Sequence, residues 1–132
     1  MIHRQVAAAA VCAACVAATA FADPSLECSF AEDSQVEIAD CLMEVEQRAN
    51  AALDLILGYA RDAAFDLDET TGRSVAVPAL DAAQEAWLAY RETTCDYQGA
   101  LFGGGSGTGI AIRSCHIELT RQRTDALYRS LN

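Results

Sequence analysis

The sequence predicts an all-α domain of three main helices stapled by two disulfides. Apolar residues recur at spacings of three and four over three long stretches, the period of a helix with one buried face. Glycine and proline fall mostly between those stretches, where they break a helical pattern. Four cysteines, Cys28, Cys41, Cys95 and Cys115, remain once an N-terminal leader is set aside, and an even count in a short exported chain reads as two bridges.

The leader comes first. Arg4 is followed by a run from Val6 to Ala20 made almost wholly of Ala, Val and Cys. That run has the length of a signal-peptide core and is too short to span a bilayer. Ala20-Phe21-Ala22 fits the small-x-small cleavage rule, so residues 1–22 are expected to be removed and residues 23–132 to form one domain. Lipid attachment at Cys15 ranks second, because Cys12 stands where a lipobox usually has Leu or Val. The expected location is periplasmic or secreted.

Asp23 to Ser34 shows no periodicity. Ser34 with Glu37 makes a capping box that opens the first helix, from about Gln35 to about Asp66. Its apolar stripe is Leu42, Val45, Ala49, Leu53, Ile56, Leu57 and Ala60, and Gly58 is a point where it could break. The acidic stretch Asp66–Arg73 lacks the spaced oxygens and central glycine of a calcium loop and is expected to be a solvated connection, with Ser74–Val77 briefly extended. The second helix runs from about Pro78 to about Tyr97. Leu80, Ala83, Trp87, Leu88, Thr94 and Cys95 form its stripe, and Arg91 lies one turn beyond Trp87. Trp87, the only tryptophan, is expected in the core. The glycine-rich stretch from Gly99 to Gly109 resembles a phosphate loop in glycine content alone, with no Gly-Lys-Ser/Thr ending and no cation. The third helix, from about Ile110 to about Ser130, carries Ile112, Cys115, Leu119, Arg123, Ala126 and Leu127 on one side.

Four cysteines allow three pairings. Cys28–Cys41 and Cys95–Cys115 are favoured. The first clamps the irregular lead onto the first helix, and the second joins the second and third helices across the glycine loop. Each short loop so closed contributes about 2–4 kcal/mol, mostly by restricting the unfolded chain. A zinc site is disfavoured, since no two of the four cysteines after the leader have a CxxC spacing and His116 is the only histidine there. No cofactor or metal is expected.

The chain carries 19 acids against nine basic residues, a net charge of −10, and has no lysine. Loss of Arg4 makes the remainder one unit more negative. Such a surface repels nucleic acid and anionic membrane and attracts cationic partners. Catalysis is not expected: His116 has no Ser, Cys or acid partner in triad spacing, and nothing in the spacing of Glu85, Glu92 and Glu118 requires a glycosidase pair.

The stretch Ala83-Gln84-Glu85-Ala86-Trp87-Leu88-Ala89-Tyr90-Arg91-Glu92-Thr93-Thr94-Cys95, the Gly103–Ser106 loop, and Cys115 followed by Thr120, Arg123 and Leu127 together resemble the LprI-type lysozyme inhibitor family. The family pattern is Ala-Gln-x-x-Trp-x-x-Tyr/Phe-Arg-x-x-x-Cys, glycines, then Cys with a downstream Thr-x-x-Arg and Leu. The first helix is looser: Ala49 to Leu57 is only similar to the family's Ala-Asp-x-x-Leu-Asn-x-x-Tyr. The resemblance implies a small exported helical protein that binds a cationic lysozyme without chemistry and covers its cleft. The competing reading is a non-enzymatic envelope module with another ligand.

Trp87, Arg91, Thr120 and Arg123 are read as structural, with Arg91 as the buried member of an ion pair with Glu92, Glu118 or Asp125. A partner-binding surface, if present, is placed on the loop, at Gly103, Gly104, Gly105, Ser106 and Thr108, backed by Asp96. The Cys95–Cys115 link at its base would lower the entropy cost of binding.

Overall fold

The computed structural model describes residues 23–131. The leader, its cleavage site and Cys15 lie outside the described residues. Four helices and no strand occur among those described: α1 (Pro24–Ser29), α2 (Gln35–Thr71), α3 (Ala76–Ala100) and α4 (Thr108–Ser130). The expected helices are all present, and one short helix is added to them.

That addition, α1, has local causes. Asp23 caps it by accepting from the Ser25 amide, and Pro24 takes a first-turn position where its missing N–H costs nothing. At six residues it is too short for periodicity to show. The capping box of α2 forms as predicted: the Ser34 hydroxyl accepts from the Glu37 amide, and the Glu37 carboxylate accepts from the Ser34 amide. Gly58 does not interrupt α2, and a side chain there would meet open space.

The segment Asp66–Arg73 departs from expectation. α2 continues through it to Thr71 and ends at Gly72, whose φ of 66° is the left-handed cap that glycine adopts without strain. Nor is Ser74–Val77 extended, since α3 already starts at Ala76. One residue explains both. Asp68, in the last turn of α2, accepts hydrogen bonds from the amides of Val75, Ala76 and Val77 at 3.0, 2.9 and 3.1 Å. It supplies the cap that α3 lacks from its own sequence. The bonds from Ala76 and Val75 hold its carboxyl below the ordinary aspartate value.

The registers follow from paired side chains. Arg61 pairs with Asp81, and Arg91 reaches Asn50, so α2 and α3 form an antiparallel hairpin about Gly72. Cys95 bonds to Cys115 and Arg91 reaches Thr120, so α3 and α4 form a second hairpin about the glycine loop. α2 and α4 therefore run parallel, with Glu46 against Arg113 and His116. At 37 residues α2 is about 55 Å long, well beyond α3 with 25 or α4 with 23. Its last turns consequently meet the start of α3 beyond the end of α4.

The core has two parts. Near the α1 end, Cys28, Leu42, Ala49 and Ile117 are buried, with Ile38, Cys41, Val45 and Ile110 packed on them. Further along, Leu53, Ala60 and Leu127 are buried beneath Ile56, Leu57, Leu80, Trp87 and Leu131. The α2 stripe matches its sequence reading, but the other two need correction. Trp87 lies at the edge of the second cluster, half-buried, and Leu88 is exposed. On α4 the fully buried positions are Ile117 and Thr120, while Ala126 is exposed. α4 packs against α1, α2 and α3 and therefore buries more than one face, whereas a single stripe captures one. Both predicted disulfides are present, Cys28–Cys41 and Cys95–Cys115.

Candidate functional site

Two polar assemblies stand out, one inside the helical layer and one at its end. The interior one is centred on Arg91. Its guanidinium donates to Thr120 Oγ1 at 3.0 Å, to Asn50 Oδ1 at 3.3 Å and to Glu92 Oε1 at 3.0 Å, so it ties α2, α3 and α4 together. Thr120 is 1% exposed, and a hydroxyl that deep needs such a partner. Arg91 also lies over the Trp87 ring at 5.2 Å from its centroid, and Arg123 lies over it at 6.0 Å. Arg123 donates to Gln84 Oε1 at 3.1 Å, and burial holds its guanidinium below the usual arginine value. Trp87, Arg91, Thr120 and Arg123 thus occupy one site between the two apolar clusters.

The network extends along α4. Glu46 accepts from Arg113 at 2.7 Å and faces His116 Nδ1 at 3.1 Å, while His116 Nε2 lies 3.5 Å from Glu92 without a hydrogen bond. His116 is therefore wedged between carboxylates of α2 and α3 rather than standing on the helix surface. Sequence reasoning missed Asn50 as a partner of Arg91, Gln84 as a partner of Arg123 and Glu46 as a partner of His116. Each lies on a polar position of an otherwise amphipathic helix, and only the register between helices shows which of those positions face inward.

At the end of the molecule the glycine loop joins α3 to α4. Gly99 is buried where the two helices touch: a Cβ there would stand 2.5 Å from Ile112 Cγ1. This close approach lies one turn from the Cys95–Cys115 bridge. The loop itself is a succession of tight turns. Gly103 N donates to Ala100 O, Gly105 N to Phe102 O and Thr108 N to Gly105 O, each at 3.0–3.1 Å. Gly103 and Gly104 take φ of 62° and 80°, where other residues are strained. Leu101, Phe102 and Ser106 are exposed on this loop. Thr108 does not lie on the loop. It is the first residue of α4, half-buried, with a hydroxyl that has no hydrogen-bond partner among the described residues.

Beside the loop a cleft of about 400 Å³ opens between α1, α3 and α4. Asp23, Gln98, Phe102, Ser114, Glu118 and Leu119 are among its walls, and Asp96 is not. Asp23 Oδ1 accepts from the Ser25 amide and hydroxyl and from the Ser114 hydroxyl at 2.8–2.9 Å. Those bonds, the Ser25 hydroxyl foremost, hold its carboxyl below the ordinary aspartate value. Next to it, Glu27 receives both terminal nitrogens of Arg121 at 2.8 and 3.0 Å, which keeps it ionised and fixes α1 on α4. Among the described residues no helix is long and apolar enough to cross a membrane.

A protein of Rhizobium meliloti (strain 1021), described only as uncharacterized, is 30% identical over 118 residues, covering 86% of this chain and 84% of its own length. No solved structure matches the chain. The family model described as "Lysozyme inhibitor LprI" matches residues 27–127, a span that takes in both disulfides, the Arg91 network and the glycine loop. The chain belongs to the LprI lysozyme inhibitor family.

Proposed function

We propose that this protein is an exported inhibitor that binds a cationic lysozyme and covers its saccharide cleft without catalysing any reaction. The family match over residues 27–127 carries this reading. The charge supports it: a net −10 with no lysine steers the protein toward a basic surface and speeds encounter. The exposed rim from Leu101 to Ser106 is the proposed contact edge, with Gly103, Gly104 and Gly105 shaping it and Asp96 contributing charge nearby on α3. The disulfide at its base and the chain of turns through it reduce the ordering that binding would otherwise demand.

The test is a lysis assay with purified residues 23–132 against several lysozymes at two salt concentrations. Inhibition that weakens as salt rises is the expected result, because surface charges further apart than about 10 Å are screened at 0.1 M ionic strength. Absence of a complex with every lysozyme at low salt sinks the proposal.

A further inference from the structure

We propose that the cleft between α1, α3 and α4 is a receptor for one guanidinium or ammonium side chain presented by the partner protein. The inference rests on the lysozyme reading for the partner's identity but not for the chemistry of the cleft. Three features of the cleft converge on a cationic side chain. Its volume of about 400 Å³ falls in the range of pockets that enclose small organic groups. Its walls carry two carboxylates, Asp23 and Glu118, and no Lys, Arg or His side chain; in the protein of residues 23–132 the α-ammonium of Asp23 offsets one of those charges and leaves the cleft one unit negative. Its apolar lining includes Ala111, Leu119 and Phe102, which suits the methylene stem of such a side chain and puts an aromatic ring beside its charge.

Preorganisation strengthens the case. Three donors orient the Asp23 carboxylate before any ligand arrives, and Ser114, which supplies one of them, is itself buried. Glu118 Oε1 is steadied by Gln122 at 3.1 Å. Phe102 packs against Gly107, where a Cβ would come within 3.1 Å of the ring, so the loop holds the aromatic wall in place. By contrast, the apolar groove between α2 and α4 has both Arg121 and Asp125 on its rim and selects neither sign of charge.

The direct probe is Nα-acetyl-arginine amide, titrated into isotope-labelled residues 23–132 and followed by amide chemical shifts, with the neutral citrulline analogue as control. Shifts that concentrate at Gln98, Phe102, Ser114 and Glu118, appear with arginine and not citrulline, and vanish in Glu118→Arg are the expected result. Equal shifts with citrulline, or shifts spread over the acidic faces of all helices, overturn the proposal. In the lysozyme assay, Glu118→Arg is compared with Glu85→Arg, which makes the same charge change at an exposed position of α3 outside the cleft. The cleft variant is expected to lose roughly tenfold or more in affinity and the control much less. Equal losses would mean that net charge alone steers binding and would overturn the cleft. If the unaltered protein binds arginine in the cleft but no lysozyme, the lysozyme reading fails and the cation receptor stands.

Discussion

The two helical hairpins of this protein solve the same problem by different means. Both reverse the chain between long antiparallel helices, and both use glycines with positive φ to do so. The turn between α3 and α4 is held by a covalent bridge, Cys95–Cys115, and by helices that touch at Gly99. The turn between α2 and α3 has neither. It extends past the end of α4, leaves Phe65, Leu67 and Val75 exposed, and depends on one carboxylate, Asp68, bonded to three amides. The covalent bridge and the close helix contact both lie at the end that carries the cleft and the proposed contact edge. The opposite end is held by local polar chemistry, which responds to pH.

Breaking the bridge is the strongest test of that contrast. The Cys95→Ala, Cys115→Ala double variant is expected to lose about 2–4 kcal/mol of stability in denaturant unfolding. An unchanged midpoint would show that packing at Gly99 suffices. Gly99→Val attacks that packing with the bridge intact, and overfilling the contact with Ile112 is expected to cost about 1–3 kcal/mol. Retention of full stability there would mean that α3 and α4 separate without penalty.

Asp68→Ala tests the other turn. Faster hydrogen exchange at Val75, Ala76 and Val77 is expected, with a smaller fall in thermal midpoint than either preceding change and no effect on exchange around Gly99. Acid should act at the same place. The folded-state pKa of Asp68 is depressed, so its contribution is present above the ordinary aspartate value near pH 4 and is lost as pH falls through the lower folded value. Asp23 and Glu27 are depressed too and lose their contributions in the same direction, but the disulfides keep their end tethered. Exchange measured on descent below pH 4 is therefore expected to rise first at Val75–Val77. Simultaneous loss at both ends would erase the distinction.

The smallest expected effect is a gain. Thr108→Val keeps the shape of a half-buried residue and removes a buried hydroxyl that lacks a partner, for an expected stabilisation of up to about 1 kcal/mol. A loss of stability would show that the hydroxyl is hydrogen-bonded in solution.

The parts of this molecule that were readable in advance are those written in local code. The α2 stripe, the Ser34–Glu37 capping box and the placement of the helices around the glycine loop follow from residues a few positions apart. The disulfide pairing followed from short loop closures. The misreadings share a different character. Asp66–Arg73 looks like a solvated linker because its acids have no local function, yet Asp68 serves residues seven to nine positions away. Thr108 looks like a loop residue until the start of α4 is fixed.

By itself the sequence determined the helical class, the main helices, the capping box that opens α2 and the staples, because helix period, capping and loop closure are short-range effects. Only the tertiary structure decided which polar groups meet: Arg91 with Asn50 and Thr120, Glu46 with His116, and Asp23 with Ser114 at the cleft. Those contacts join residues 29 to 91 positions apart. They exist only once packing of the apolar faces has set the axial register of the helices, and a polar side chain on a helix carries no local mark of which neighbour it will face.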